Sequence, residues 1–165
     1  MASDLAFPAV RALAGRGQTL AVCESLTGGG IGAAITAVPG SSVVFRGGII
    51  AYATALKAEL PGLSAAVIER HGVVSAEVAT GMAEAARTVC GSDWAVAVTG
   101  VAGPDWQDAQ PPGTVYVAVA GPSGSASERH GFTGDRAAVR EQTVRAALAA
   151  VLRALGDERD GPGGE

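Results

Sequence analysis

Lysine is almost missing from this sequence: Lys57 stands alone against eleven arginines. Arginine stays protonated in proteins, whereas lysine loses its proton where its surroundings disfavour charge. GC-rich codon bias alone can produce such a ratio, so the count raises a question about Lys57 without answering it. No run of Lys or Arg occurs, and the net charge is −4, which excludes the electrostatic footprint of a DNA- or RNA-binding protein. No run of about 18 apolar residues occurs, which argues against a spanning helix. The chain does not open with a basic segment followed by an apolar one, so a cytoplasmic location is expected. Aromatic residues make up only 4% of the chain. Cys23 and Cys90 are far apart in apolar surroundings and read as small buried hydrophobes, with no disulfide expected. His71 and His130 have no partner at ligand spacing, and no metal site is expected.

What is present is alanine, glycine and β-branched aliphatics. The 165 residues suffice for one domain, and the high alanine content suits close packing of helices on a sheet. Helix is expected from Asp4 to Arg16, with Leu5, Val10 and Leu13 at helical spacing and Gly17 as the stop. Thr19–Cys23 reads as a buried strand, Leu26–Gly30 as a turn, and Gly29–Val38 as a small-residue helix ended by Pro39-Gly40. Ser42–Ala53 is β-rich, and Gly47-Gly48 predicts a bulge or bend between two strand segments, Val43–Phe45 and Ile49–Tyr52. Thr54 is a candidate cap for a short helix carrying Lys57. Ser64 and Ser75 are candidate caps for helices to His71 and Val89. Trp94–Val98 reads as a second buried strand before Thr99–Pro104. After a polar loop, 105–112, come a hairpin over 113–132 and a final helix from Gly134 to Leu155. The charged, Gly/Pro-rich tail 157–165 is expected to be disordered, leaving one domain over 1–156. Helices interleave with apolar strands, so the fold class is α/β, and the hairpin makes the sheet mixed.

Two strand–glycine junctions are candidate ligand loops: Ser25–Gly30, with Thr27, Gly28 and Gly29, and Thr99–Pro104, with Gly100 and Gly103. In open α/β sheets ligands bind beyond the carboxyl ends of strands, and glycine lets backbone N–H groups face them. The same glycines also serve ordinary turns. Neither loop is a P-loop or dinucleotide fingerprint, and no G-x-S-x-G elbow surrounds Ser25. Tyr52 lies five residues before Lys57, and serine, tyrosine and lysine together can make a nucleophile and its base. Arg46, Arg136 and Arg140 are candidate anion contacts. Arg136 and Arg140 share a helix face, and for Arg140 a surface ion pair is the preferred reading. Tyr116, in an alternating strand, reads as core.

The segments Glu24-Ser25-Leu26-Thr27-Gly28-Gly29, Pro39-Gly40-Ser41-Ser42, Phe45-Arg46-Gly47-Gly48, Tyr52 with Lys57, Gly72-Val73-Val74-Ser75, Ala97–Pro104, Pro112–Val115 and Phe132–Arg136 occur in this order. Together they resemble the CinA C-terminal domain family, whose stand-alone members are nicotinamide-nucleotide amidohydrolases. The resemblance spans roughly residues 5–155. It implies a three-layer α/β/α sandwich with a mixed, mostly parallel sheet, and no cofactor and no metal. It also implies a homodimer without membrane or direct nucleic-acid partners. The implied reaction converts nicotinamide mononucleotide and water to nicotinate mononucleotide and ammonia. Ser25 matches the nucleophile, and Tyr52 and Lys57 match its partners. Thr27, Gly28, Gly29, Arg46, Thr99, Gly100, Gly103 and Arg136 are the expected substrate contacts, with N–H groups from Thr27 to Gly29 on the oxyanion. Leu26, Thr54 and the segment Asp105–Pro112 depart from the family pattern. The last lacks the extra glycines and the basic residue usual there. A nucleotide-binding module without turnover and a competence- or damage-associated adaptor are the alternative readings.

Overall fold

A computed structural model of the chain describes residues 3–157. In order, the elements are α1 (Ser3–Arg16), β1 (Leu20–Glu24), α2 (Gly30–Thr36), a 3-10 turn (Ser41–Val43), β2 (Phe45–Ile50), α3 (Thr54–Lys57), α4 (Ala65–His71), α5 (Ala76–Cys90), β3 (Trp94–Gly100), β4 (Thr114–Gly121), β5 (Gly124–Gly131) and α6 (Arg136–Asp157). The strands form one sheet in the order β2-β1-β3-β4-β5. Both neighbours of β1 run parallel to it, and β4 is antiparallel to both β3 and β5. Four of the five strands therefore point the same way.

Side-chain alternation along the strands explains the layers. Leu20 and Val22 on β1, Val96 and Val98 on β3, and Val115, Val117 and Val119 on β4 face one side, where α1, α2 and α6 cover them. The intervening positions are nearly all small: Ala21, Cys23, Ala95, Ala97, Ala118 and Ala120. Against that flat face lies α5, through Ala79, Ala83, Ala86 and Met82. A three-layer α/β/α sandwich results, as the family resemblance implies. The outer strand β5 is solvent-facing and polar, which suits an edge.

The cap predictions at Ser64 and Ser75 hold: each hydroxyl oxygen accepts from the third residue onward, Val67 N–H and Val78 N–H. Thr54 does not cap α3; Ala53 occupies that position and Thr54 is the first helical residue. No strand runs over Val43–Val44. After Gly40 in the left-handed region the chain takes a 3-10 turn, and β2 begins only at Phe45. The bulge falls at Arg46, because Leu20 pairs with Phe45 and Ala21 already pairs with Gly47. Gly48 is then fixed by packing, since a Cβ there would lie 2.3 Å from the Val22 side chain. Thr99 and Gly100 belong to β3, not to the loop beyond it. Asp157 ends α6, and the rest of the expected tail, 158–165, lies outside the described residues.

Candidate active site

The chain leaves β1 and goes first to β2 on one side, then to β3 on the other. Such a reversal opens a crevice beyond the carboxyl ends of the parallel strands. Ser25 follows β1 directly, Ala51 and Tyr52 follow β2, and Thr99 and Gly100 end β3. The same edge receives the start of β4 and, across Phe132, the start of α6 with Arg136. Between them is a cavity of about 150 Å3 lined by Ser25, Tyr52, Lys57, Thr99, Gln107 and Arg136, among others. A second groove of similar volume, between β4, β5 and α6, holds neither Ser25 nor Lys57.

The loop carrying Ser25 is organised by a residue the sequence reading left without a role. Glu24 is fully buried, and its carboxylate accepts four hydrogen bonds. Oε2 takes Thr27 Oγ1 at 2.6 Å, Gly29 N at 3.0 Å and Ile31 N at 3.0 Å, while Oε1 takes Gly32 N at 2.8 Å. The positive end of α2 is thus filled by the chain's own carboxylate and is closed to a substrate phosphate. This corrects the expected oxyanion contacts: Gly29 N–H, like Thr27 Oγ1, is spent on Glu24, while Thr27 N–H stays free. Gly28 N–H is spent on Ser25 O at 3.0 Å. Among the described residues, the N–H groups of Leu26 and Thr27 and the hydroxyl of Ser25 have no partner.

From the other side, Arg140 grips the same loop, donating from Nε to Leu26 O at 3.0 Å and from Nη2 to Thr27 O at 2.9 Å. The surface ion pair preferred for Arg140 is therefore not what the structure contains. Arg136, one turn earlier, donates to Tyr52 Oη at 2.7 Å and to Gly103 O at 2.8 Å. Because Tyr52 Oη accepts there, its own proton stays available.

Lys57 is 2% exposed. Its Nζ donates to Ala51 O at 2.7 Å and makes a long contact of 3.5 Å to Tyr52 O. Among the described residues no carboxylate pairs with it, and burial pushes its ammonium below the ordinary lysine range, with Cys23 opposing. The Cys23 thiol is itself pushed up to about 12, chiefly by burial, and stays protonated.

Other expected residues are structural or elsewhere. Thr99 Oγ1 donates to Val73 O at 2.8 Å, tying β3 to the turn after α4. Gly100 lines the cavity, but its lack of a side chain answers to packing, because a Cβ would lie 2.7 Å from Thr114 O. Gly103 contributes its carbonyl to Arg136. Arg46 is excluded from the site: it sits at the amino end of β2, opposite the cavity, and its Nε donates to Cys90 O at 3.1 Å. His71 faces Glu77 and His130 faces Glu128, and neither histidine lines the cavity, so no Ser-His pair forms there. Among the described residues no group of three or more His, Cys, Asp or Glu is placed to hold a metal.

The architecture is a mixed-sheet α/β/α sandwich whose strand crossover opens a cavity lined by a serine and a buried lysine. The sequence pattern of the CinA C-terminal domain matches residues 3–155. Curated relatives include a CinA-like protein of Parasynechococcus marenigrum, 52% identical over 142 residues, which are 84% of this chain and 34% of that protein. Another, from Anaeromyxobacter sp. (strain K), is 44% identical over 147 residues, 88% of this chain and 36% of that protein. Thus the chain spans about a third of the length of these relatives. Among solved structures, a competence-damaged protein (CinA) superfamily protein from Klebsiella pneumoniae superposes with a TM-score of 0.91 at 32% identity, covering 95% of this chain and 99% of that one. The competence/damage inducible protein CihA from Agrobacterium tumefaciens gives 0.88 at 32% identity, covering 94% and 95%. The chain belongs to the CinA C-terminal domain family.

Proposed function

We propose that this chain is a serine-type amidohydrolase acting on the carboxamide of nicotinamide mononucleotide. One observation carries the reading: a Ser25 hydroxyl unpaired among the described residues and the lone, buried Lys57, which meets no carboxylate among them, line one cavity. Serine becomes a nucleophile only when a base takes its proton, and a desolvated lysine is such a base.

Neutral Lys57 Nζ removes the Ser25 proton as Oγ attacks the carboxamide carbon. The oxyanion lies against the free N–H groups of Leu26 and Thr27, in place of those of Gly28 and Gly29; one such donor is typically worth about 3–4 kcal/mol. On collapse the amide nitrogen takes the proton held by Lys57 and leaves as ammonia, with the Tyr52 hydroxyl donating a hydrogen bond, not a proton, to it. Water, deprotonated by Lys57, then attacks the acyl-serine and releases nicotinate mononucleotide, restoring the Ser25 hydroxyl. The cavity is smaller than the roughly 300–1,000 Å3 of ordinary ligand clefts, so it houses the reacting ring while the phosphate extends outward. The Arg136 guanidinium, which also lines the cavity, is the proposed contact for that phosphate. The reading includes a cytoplasmic homodimer, for which sedimentation velocity is the check on assembly.

Ammonia release from nicotinamide mononucleotide, run beside Ser25→Ala, tests the proposal. Release by the parent and loss of at least about a thousandfold in the variant is expected. A folded parent that releases none defeats it.

A further inference from the structure

We propose that Gln107 is a specificity-determining contact for the substrate of this site, held against the cavity by Asp108. The inference rests on the amidohydrolase reading and deepens it.

The segment after Pro104 forms a four-residue closed loop. Gln107 N donates to Gln110 O at 3.1 Å, and Gln110 N donates to Gln107 O at 2.8 Å. Between them Asp108 and Ala109 are both left-handed, at φ 51° and 57°, as in a tight primed hairpin turn. Neither is glycine, so the turn is maintained against backbone strain. Asp108 shows what it secures: Oδ2 accepts a hydrogen bond from Val73 N–H, 35 residues away in sequence. The Val73 carbonyl in turn accepts from Thr99 Oγ1. Val73, Thr99 and Gln107 all line the cavity with Ser25, so Asp108 joins the loop to the cavity wall. Gly72 permits the approach, because a Cβ there would stand 3.2 Å from Asp108 Oδ2.

Gln107, an exposed residue, lines the cavity and its side-chain amide is unspent. Only its backbone hydrogen-bonds within the described residues, so its carbonyl and two N–H donors are free. An uncharged donor and acceptor side by side suit a neutral polar group of the substrate, a carboxamide or a sugar hydroxyl. Removing the side chain leaves both backbone bonds of the closed loop in place, so contact and scaffold separate experimentally.

The experiment measures kcat, KM and direct binding of nicotinamide mononucleotide for the full chain and for Gln107→Ala, Asp108→Ala and Asp108→Asn. Gln107→Ala is expected to raise KM and the dissociation constant about fivefold, with kcat within about twofold and an unchanged melting temperature. Asp108→Ala is expected to raise KM similarly, and Asp108→Asn, which retains an acceptor for Val73 N–H, to restore it. Asp108 is thus a positioning residue, and the rescue distinguishes positioning from general destabilisation. A parent that turns over normally while Gln107→Ala keeps its KM overturns this inference and leaves the amidohydrolase reading intact. Binding without ammonia release, weakened in Gln107→Ala, overturns the catalytic reading and supports this one. A folded parent that neither binds nor hydrolyses the nucleotide defeats both.

Discussion

Replacing Glu24 by glutamine tests whether the nucleophile loop is held by a buried anion. The side chain keeps its length, and its one remaining oxygen, in the place of Oε2, keeps Thr27, Gly29 and Ile31 as donors. The new NH2 group faces Gly32 N–H, donor against donor, where Oε1 accepted at 2.8 Å. Stranding a buried donor costs about 1–3 kcal/mol, and three bonds that lose charge assistance weaken by roughly 0.5–1 kcal/mol each. Relief from desolvating a carboxylate returns part of this. A net loss of about 3 kcal/mol is expected. With a urea m-value near 2 kcal/mol/M for a domain of this size, the unfolding midpoint drops by about 1.5 M at unchanged slope. The same change loosens Leu26 and Thr27, so kcat is expected to fall at least tenfold in the fraction that stays folded. A midpoint shift below about 0.3 M, with kcat unchanged, would refute the argument that Glu24 organises the loop.

Two further outcomes concern Lys57 and the strained turn. A lysine whose pKa is lowered in the fold binds fewer protons there than in the unfolded chain. Stability therefore rises with pH between the folded pKa and the ordinary 10.5, and activity that needs the neutral amine rises through the folded value. The pH–rate profile of ammonia release should show an ascending limb centred below 10.5, and Lys57→Arg should abolish release at every pH; an active arginine variant removes the general-base role. Ala109→Gly should stabilise the protein by about 0.5 kcal/mol in urea titration, because glycine takes the left-handed conformation at φ 57° without steric cost; a loss of stability contradicts the strain.

The fold was legible because its signals are local. Short apolar runs mark β1 and β3, alternation marks β4, and serine caps mark α4 and α5. Lys57, Tyr52 and Ser25, which the fold brings to one cavity, stand out in the sequence by rarity and motif. The misread residues depend on register and on distant partners. Val43 and Val44 have strand propensity, yet left-handed Gly40 turns the chain before they can pair. Arg46 sits in a glycine motif like the others, but strand direction puts it at the wrong end of the sheet. Arg140 looks like a surface residue until α6 is laid against the loop after β1. Glu24 reads as one more motif letter until its four donors are seen, and Asp108 gains meaning only from an amide 35 residues away.

The two faces of the sheet will not age alike under mutation. On the side covered by α1, α2 and α6, valines and leucines meet other branched side chains, and exchanges among aliphatics can be absorbed by repacking. On the side of α5 the separation between helix and sheet is set by methyl groups, at Ala95, Ala97, Ala118 and Ala120. A single added branch there has nowhere to go except into the helix backbone. Sequence drift in this chain is therefore channelled to one half of its interior, while the half beneath α5 stays confined to its smallest residues.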